Sequence, residues 1–158
     1  MVVAVTEVIN ATGISLIKRF EGLVLTAAPD PAGILTIGYG HTRGVHPGET
    51  ITAAEANHLL SQDLAEFEAG VAALVSRTPT SNEFSAMVSL SFNIGLGRPG
   101  ACPGFCTSSV LRDHNAGNKI AAAAAFLLWD KIHLDGRLVE EAGLKVRREA
   151  ERLLYLMP

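Results

Sequence analysis

Between Lys18 and Thr42 the chain reads K-R-F-E-G-L-V-L-T-A-A-P-D-P-A-G-I-L-T-I-G-Y-G-H-T, and no single regular element accommodates it. Gly22 closes the apolar-periodic segment before it, because glycine takes the left-handed backbone of a helix end without a Cβ clash. Pro29 and Pro31 each lack an amide donor and bracket Asp30 in a turn. The stretch therefore reads as helix end, strand, turn and strand, with a closing Gly38-Tyr39-Gly40-His41-Thr42. It draws Glu21, Asp30 and Thr36 together. Two carboxylates and a hydroxyl gathered at a helix end and a hairpin turn make a cleft geometry.

The rest of the chain has the means to hold such a stretch. With 158 residues, 48% hydrophobic and 18% charged, it forms one globular domain or one core with a small lobe. The net charge of −3 comes without a lysine-arginine run, which argues against a nucleic-acid partner. The N-terminus is apolar for five residues, is broken by Glu7 and Asn10, and has no basic residue before Lys18. It lacks the pattern of a signal peptide, and no run approaches the roughly 20 apolar residues of a membrane span. A cytoplasmic protein without stable membrane insertion is expected. Cys102 and Cys106 are the only cysteines, and only His114 lies near them, so reduced structural thiols are expected, with a disulfide between the two as the alternative, and a metal site is not. No cofactor is expected either.

Taken in order, Thr12 to Phe20 or Glu21 reads as a helix with an apolar stripe of Ile14, Leu16, Ile17 and Phe20. Leu23–Thr26 and Gly33–Tyr39 read as short strands around the turn 28–31. Thr52-Ala53-Ala54-Glu55 is a capping box that opens a long helix through Leu59, Leu60, Leu64, Phe67, Val71 and Leu74. Thr80-Ser81-Asn82-Glu83 repeats the signature and starts a helix, 84–93, that is small or apolar on nearly every face, hence a buried central helix. A glycine- and proline-rich loop spans 95–104. Further helices are expected at 108–114, at 121–129 with Asn118 as its cap, and at 144–156, with an irregular stretch over 130–143. Tyr39 and Trp129 read as core.

A pair of carboxylates divides labour when one is held protonated in apolar surroundings and the other stays ionised in a polar one. Glu21, between Phe20 and Leu23, is the candidate general acid; Asp30, in its polar turn, is the candidate base, with Thr36 placed to hold a water against it. The alternatives are structural: Asp30 as a local backbone cap, and Glu21 as a solvated helix-end charge.

These residues carry a family resemblance. Phe20-Glu21-Gly22, Asp30, Thr36 and the closing T-I-G-Y-G-H-T resemble the catalytic region of the phage-type lysozymes, the endolysins of glycoside hydrolase family 24. Phe92-Asn93-Ile94-Gly95 is similar to the family's F-N-x-G, Phe105 to Leu111 resembles its F-x-x-S-x-L-L region, Trp129 matches its tryptophan position, and 143–151 matches its G-L-x-x-R-R-x-A-E. The resemblance implies an α+β, mainly helical, lysozyme-like fold, a single catalytic domain over 1–158. A small β-hairpin lobe, about 22–50, and a larger helical lobe, about 52–158 with the N-terminal helix, would flank a substrate cleft. It implies Glu21 as general acid, Asp30 as second carboxylate and Thr36 as water-positioning hydroxyl, hydrolysing the β-1,4 bond between N-acetylmuramic acid and N-acetylglucosamine in peptidoglycan. Where the family often has a tyrosine two residues before the second carboxylate, this chain has Ala28, which alters the cleft wall and not the reacting groups.

Asn93, His41, Phe105 and Arg147 are the candidate substrate-binding residues, with His41 also readable as a hydrogen-bonded structural residue behind the sheet and Asn93 as a helix cap. One of Arg147 and Arg148 is expected to hold Glu21 and the other to be a solvated helix charge. The partner implied is the peptidoglycan glycan strand, met by a monomer that depends on a holin to leave the cytoplasm. Two other classes compete: a lysozyme-like module that grips cell wall without cutting it, and a lytic transglycosylase. A binder has no need of Glu21, Asp30 and Thr36 at this spacing, and a transglycosylase has no need of Asp30 and its water.

Overall fold

In the computed structural model, which describes residues 7–158, the chain divides into two compact units, one of residues up to 16 together with 67–158, the other of 17–66. The boundaries fall inside helix α1 (Ala11–Glu21) and helix α2 (Ala53–Leu74). The expectation about a signal segment concerns residues 1–6 in large part, and these lie outside the described residues.

The smaller unit is built on strands β1 (Val24–Pro29) and β2 (Leu35–Gly38), antiparallel, with Ala28 opposite Thr36 and Pro29 opposite Leu35. Strand β1 runs through the segment expected as a turn, because Pro29 has no amide to leave unpaired and tolerates the last strand position. The turn proper is 30–34, closed by the Asp30 amide donating to the Ile34 carbonyl at 2.8 Å. On the other edge of β1, the Ala27 amide donates to Glu49 O and the Ile51 amide to Leu25 O. The Thr52 capping box forms as expected, with Thr52 N donating to Glu55 Oε2 at 2.7 Å and Glu55 N to Thr52 Oγ1 at 3.2 Å. Ile17, Ile37, Ala56, Leu60 and Leu64 are the buried apolar residues of this unit.

In the larger unit, helix α3 (Ser81–Ile94) is the buried centre, enclosed at every position from Glu83 to Ser91. Thr80 and Glu83 form the reciprocal capping box. So many buried polar groups on one helix demand partners, and each has one. Ser85 Oγ accepts from the Asn10 amide, Ser89 Oγ donates to Glu151, Ser91 Oγ donates to Met87 O, and Glu83 faces Lys119 and Arg77. Asn10 also caps α1 through the Gly13 amide, a role its position two residues before the expected helix start concealed. Helices α4 (Ser109–Asn115) and α5 (Lys119–Ala125) follow, then a 3-10 turn over Phe126–Trp129. Asn118 occupies the cap position of α5 but makes no side-chain cap bond. The last helix, α6 (Ala142–Leu156), packs along α3.

Three expectations need correction. Residues 130–143 are not irregular: β3 (Lys131–Leu134) and β4 (Arg137–Glu140) form a hairpin closed by Asp135 and Gly136, whose φ values of 49° and 75° are those a two-residue type I′ turn requires. An Asp-Gly pair between apolar runs is a hairpin signal, hidden here because all eight strand residues are exposed and no face alternates cleanly. Tyr39 and Trp129 are half-buried and stand outside the core. Neither Arg147 nor Arg148 is a solvated charge, since their side chains are 4% and 0% exposed.

Candidate active site

Glu21 is the last residue of α1, and the helix stops there because Gly22 takes φ 72° and turns its amide back to Lys18 O at 3.1 Å. The half-buried carboxylate reaches toward the Gly38-Tyr39-Gly40 turn: a Cβ added at Gly40 would lie 3.5 Å from Glu21 Oε2. Gly38 and Gly40 carry φ values of 66° and 85°, a backbone that side chains resist.

Asp30 Oδ1 accepts from the amides of Ala32 and Ile34, both at 2.8 Å. The local backbone-capping role is therefore real, and it uses one oxygen; among the described residues nothing donates to Oδ2. Thr36 Oγ1 donates to the Ala28 carbonyl across the ladder at 3.2 Å. Ala28 and Thr36 face each other, and Asp30 follows two residues on, at the start of the turn. Because the acceptor at Ala28 is its backbone carbonyl, the lack of a tyrosine there leaves the Thr36 bond untouched.

His41 places Nδ1 2.8 Å from Asp63 Oδ2 and Nε2 2.8 Å from Arg43 O. Its backbone exchanges two hydrogen bonds with Ile37 at 2.9 Å. Both ring nitrogens are thus committed within the smaller unit, and the residue holds the 37–41 turn against α2.

Asn93, Phe105 and Arg147 belong to the larger unit. Phe105 is wholly enclosed, at 0% exposure. Arg147 Nε donates to Glu151 Oε1 at 3.1 Å and Nη2 reaches Ser89 O at 3.4 Å. Glu151, fully buried, also accepts from Ser89 Oγ at 2.7 Å and pairs with Arg148 Nε at 2.8 Å. Burial pushes the Glu151 carboxyl up, against the pull of the Arg148 and Arg147 charges. Arg148 Nη2 donates to Asn93 Oδ1 at 2.9 Å, and Asn93 itself is exposed. The R-R-x-A-E pattern was read for its arginines alone; the glutamate three and four residues beyond them is the hub of the network.

The structure thus gathers Glu21, Asp30, Thr36 and His41 in one unit, and joins Arg147, Arg148, Glu151, Ser89 and Asn93 in the other. Cys102 and Cys106 are free thiols. Among the described residues, no cluster of metal-ligating side chains occurs and no helix is long and apolar enough to cross a membrane.

The sequence model of the phage lysozyme family matches residues 18–151. The endolysin of Salmonella phage P22 is 41% identical over 153 residues, covering 94% of this chain and 97% of that protein. The muramidase domain of SpmX from Asticaccaulis excentricus superposes with a TM-score of 0.88 at 39% identity, over 96% of this chain and 99% of the other. An endolysin from Escherichia coli O157:H7 phage FAHEc1 gives 0.86 at 40% identity, over 94% and 93%. The mainly helical fold with its two small antiparallel hairpins agrees with these likenesses, and the chain belongs to the phage lysozyme family as an endolysin-type muramidase that hydrolyses peptidoglycan.

Proposed function

We propose that Glu21 is the general acid of this hydrolysis, and that Asp30 and Thr36 hold the attacking water for an inverting displacement. The Thr36 hydroxyl carries this reading: its proton is already donated to Ala28 O, so toward a water it acts only as an acceptor. A water between Thr36 Oγ1 and Asp30 Oδ2 gives one proton to each, which aims its lone pair outward as a nucleophile. In the reaction Glu21 protonates the leaving glycosidic oxygen as the anomeric carbon–oxygen bond breaks. The water oxygen bonds to that carbon from the opposite face, and its proton passes to Asp30. Inversion requires carboxyls roughly 6.5–9.5 Å apart, where a covalent intermediate requires about 5–5.5 Å. Asp30 is pinned on its turn by two backbone amides, which restrains it from advancing as a nucleophile.

NMR of freshly cut glycan should show the α-anomer first. Initial β-anomer, or a covalent adduct on Asp30, overturns the assignment, and a 1,6-anhydro product indicates a transglycosylase. Glu21→Gln should abolish lysis with the fold intact; Thr36→Ser should retain activity that Thr36→Val loses.

The single domain is read as a monomer that waits in the host cytoplasm until a holin breaches the membrane, then reaches the wall. Expression of the protein alone in a Gram-negative host should be tolerated until the membrane is permeabilised. Spontaneous lysis, with the protein recovered from the periplasm, rejects that reading.

A further inference from the structure

Inside the smaller unit, one short loop touches the end of α1 at two places. Ile37 and His41 exchange two backbone hydrogen bonds at 2.9 Å, which closes 37–41 into a tight turn. Gly38 and Gly40 carry φ values of 66° and 85° on either side of Tyr39, so the side chain at the tip is a phenol ring. Lys18, three residues before Glu21 on α1, places its Nζ over that ring, 5.5 Å from the centroid. Both side chains are half-buried, where a cation over an aromatic face gains more than on open surface. The next residue of the loop, Gly40, is the one whose added Cβ would lie 3.5 Å from Glu21 Oε2. On its other side the loop is held to α2, by Asp63 on His41 and by the close approach of Gly38 to Ala56.

We propose that Lys18 and Tyr39 are positioning residues: their cation–π contact clamps the 37–41 loop to the last turn of α1 and so fixes the wall beside which the Glu21 carboxyl stands. This rests on the reading of Glu21 as the general acid. A proton donor must come within hydrogen-bond reach of the leaving oxygen, and a misplacement of about 1 Å is enough to cost on the order of a hundredfold in rate. Gly40 has no side chain with which to hold itself against the helix. The neighbouring Tyr39 supplies that hold, and the Gly22 amide, bonded to Lys18 O at 3.1 Å, fixes the helix end between Lys18 and Glu21.

The test has a kinetic and a spectroscopic arm. On soluble peptidoglycan fragments, Lys18→Met and Tyr39→Leu should each lower kcat by about fivefold, which is what a half-buried cation–π contact is worth. KM should stay within about twofold of wild type, because the loss falls on the acid and not on glycan binding. Lys18→Arg keeps a cation and Tyr39→Phe keeps the ring face, so both should retain kcat within about twofold. The double variant Lys18→Met/Tyr39→Leu should be no slower than either single one, since each alone already breaks the shared contact. Arg19→Met removes a neighbouring cation that lies over Phe20 and should leave kcat unchanged. By NMR, the protons on Lys18 Cε, shifted upfield by the ring, should move downfield in Tyr39→Leu. If Tyr39→Leu does not fold, the two Lys18 variants, Arg19→Met and Tyr39→Phe decide. Wild-type kcat in Lys18→Met, additive losses in the double variant, a Tyr39→Phe protein as slow as Lys18→Met, an equal loss in Arg19→Met, or Lys18 protons unmoved by loss of the ring overturns the proposal. Glu21→Gln is measured beside them: if it is inactive while the clamp variants turn over normally, the acid reading stands and the clamp falls. If Glu21→Gln turns over like wild type, the acid reading falls and the clamp with it.

Discussion

Replacing Glu151 with alanine isolates how much the larger unit depends on its buried charges. The residue is fully enclosed; its two oxygens meet Ser89 Oγ at 2.7 Å, Arg147 Nε at 3.1 Å and Arg148 Nε at 2.8 Å. Alanine removes the anion and leaves two guanidiniums, 4% and 0% exposed, facing a cavity. Stripping one member from a buried ion pair costs about 3–5 kcal/mol, because the remaining charge has been taken out of water without compensation. For a chain of this length each kcal/mol moves Tm by about 2–4 °C, so a fall of roughly 10–15 °C is expected in differential scanning calorimetry at pH 7. Ser89→Ala removes only one charge-assisted hydrogen bond, about 1.5–3 kcal/mol, and should fall between the wild type and Glu151→Ala. A Glu151→Ala protein within about 1 kcal/mol of wild type would refute the reasoning, since it would mean that the two buried arginines do not depend on this carboxylate. The reverse order of the two variants would refute it as well.

Two further outcomes follow from the larger unit. His114, fully buried between Tyr155 Oη at 2.7 Å and Arg77 O at 3.0 Å, is held below its ordinary 6.5, by burial first and by the Arg77 and Lys119 charges, against the Arg77 carbonyl and the Glu83 charge. Below pH 6.5 the unfolded histidine takes up a proton that the folded one refuses, so stability is complete above that pH and declines as pH falls toward the folded value. The stability difference between wild type and His114→Gln should be flat above pH 7 and shrink below 6.5 by at most about 1.4 kcal/mol per pH unit; parallel pH profiles would reject this. Gly104 packs its backbone on Gly97, where an added Cβ would lie 2.5 Å from Gly97 N. Gly104→Ala should therefore force the 97–104 loop apart, costing more than 1 kcal/mol in urea unfolding; a neutral result would show that the loop yields freely.

What the sequence by itself determined was whatever a few adjacent residues can settle. The capping boxes at Thr52 and Thr80, the stop at Gly22 and the proline-bracketed turn at Asp30 are satisfied by groups within about four residues, so propensity and hydrogen-bond chemistry suffice to read them. With them came the order Glu21, Asp30, Thr36. The Asp135-Gly136 hairpin was equally local and was missed, because its exposed strands lack the alternation that a buried face imposes. The tertiary structure alone decided which charges lie inside. R-R-x-A-E looks like an amphipathic surface helix until α3 supplies Ser89 and Asn93, 62 and 55 residues from their partners. Burial of an arginine is affordable only where such distant groups converge, and no local pattern records that convergence. Thr36 likewise needs the paired strands: the part proposed for it, as acceptor toward a water, depends on its proton being given to a carbonyl across the ladder.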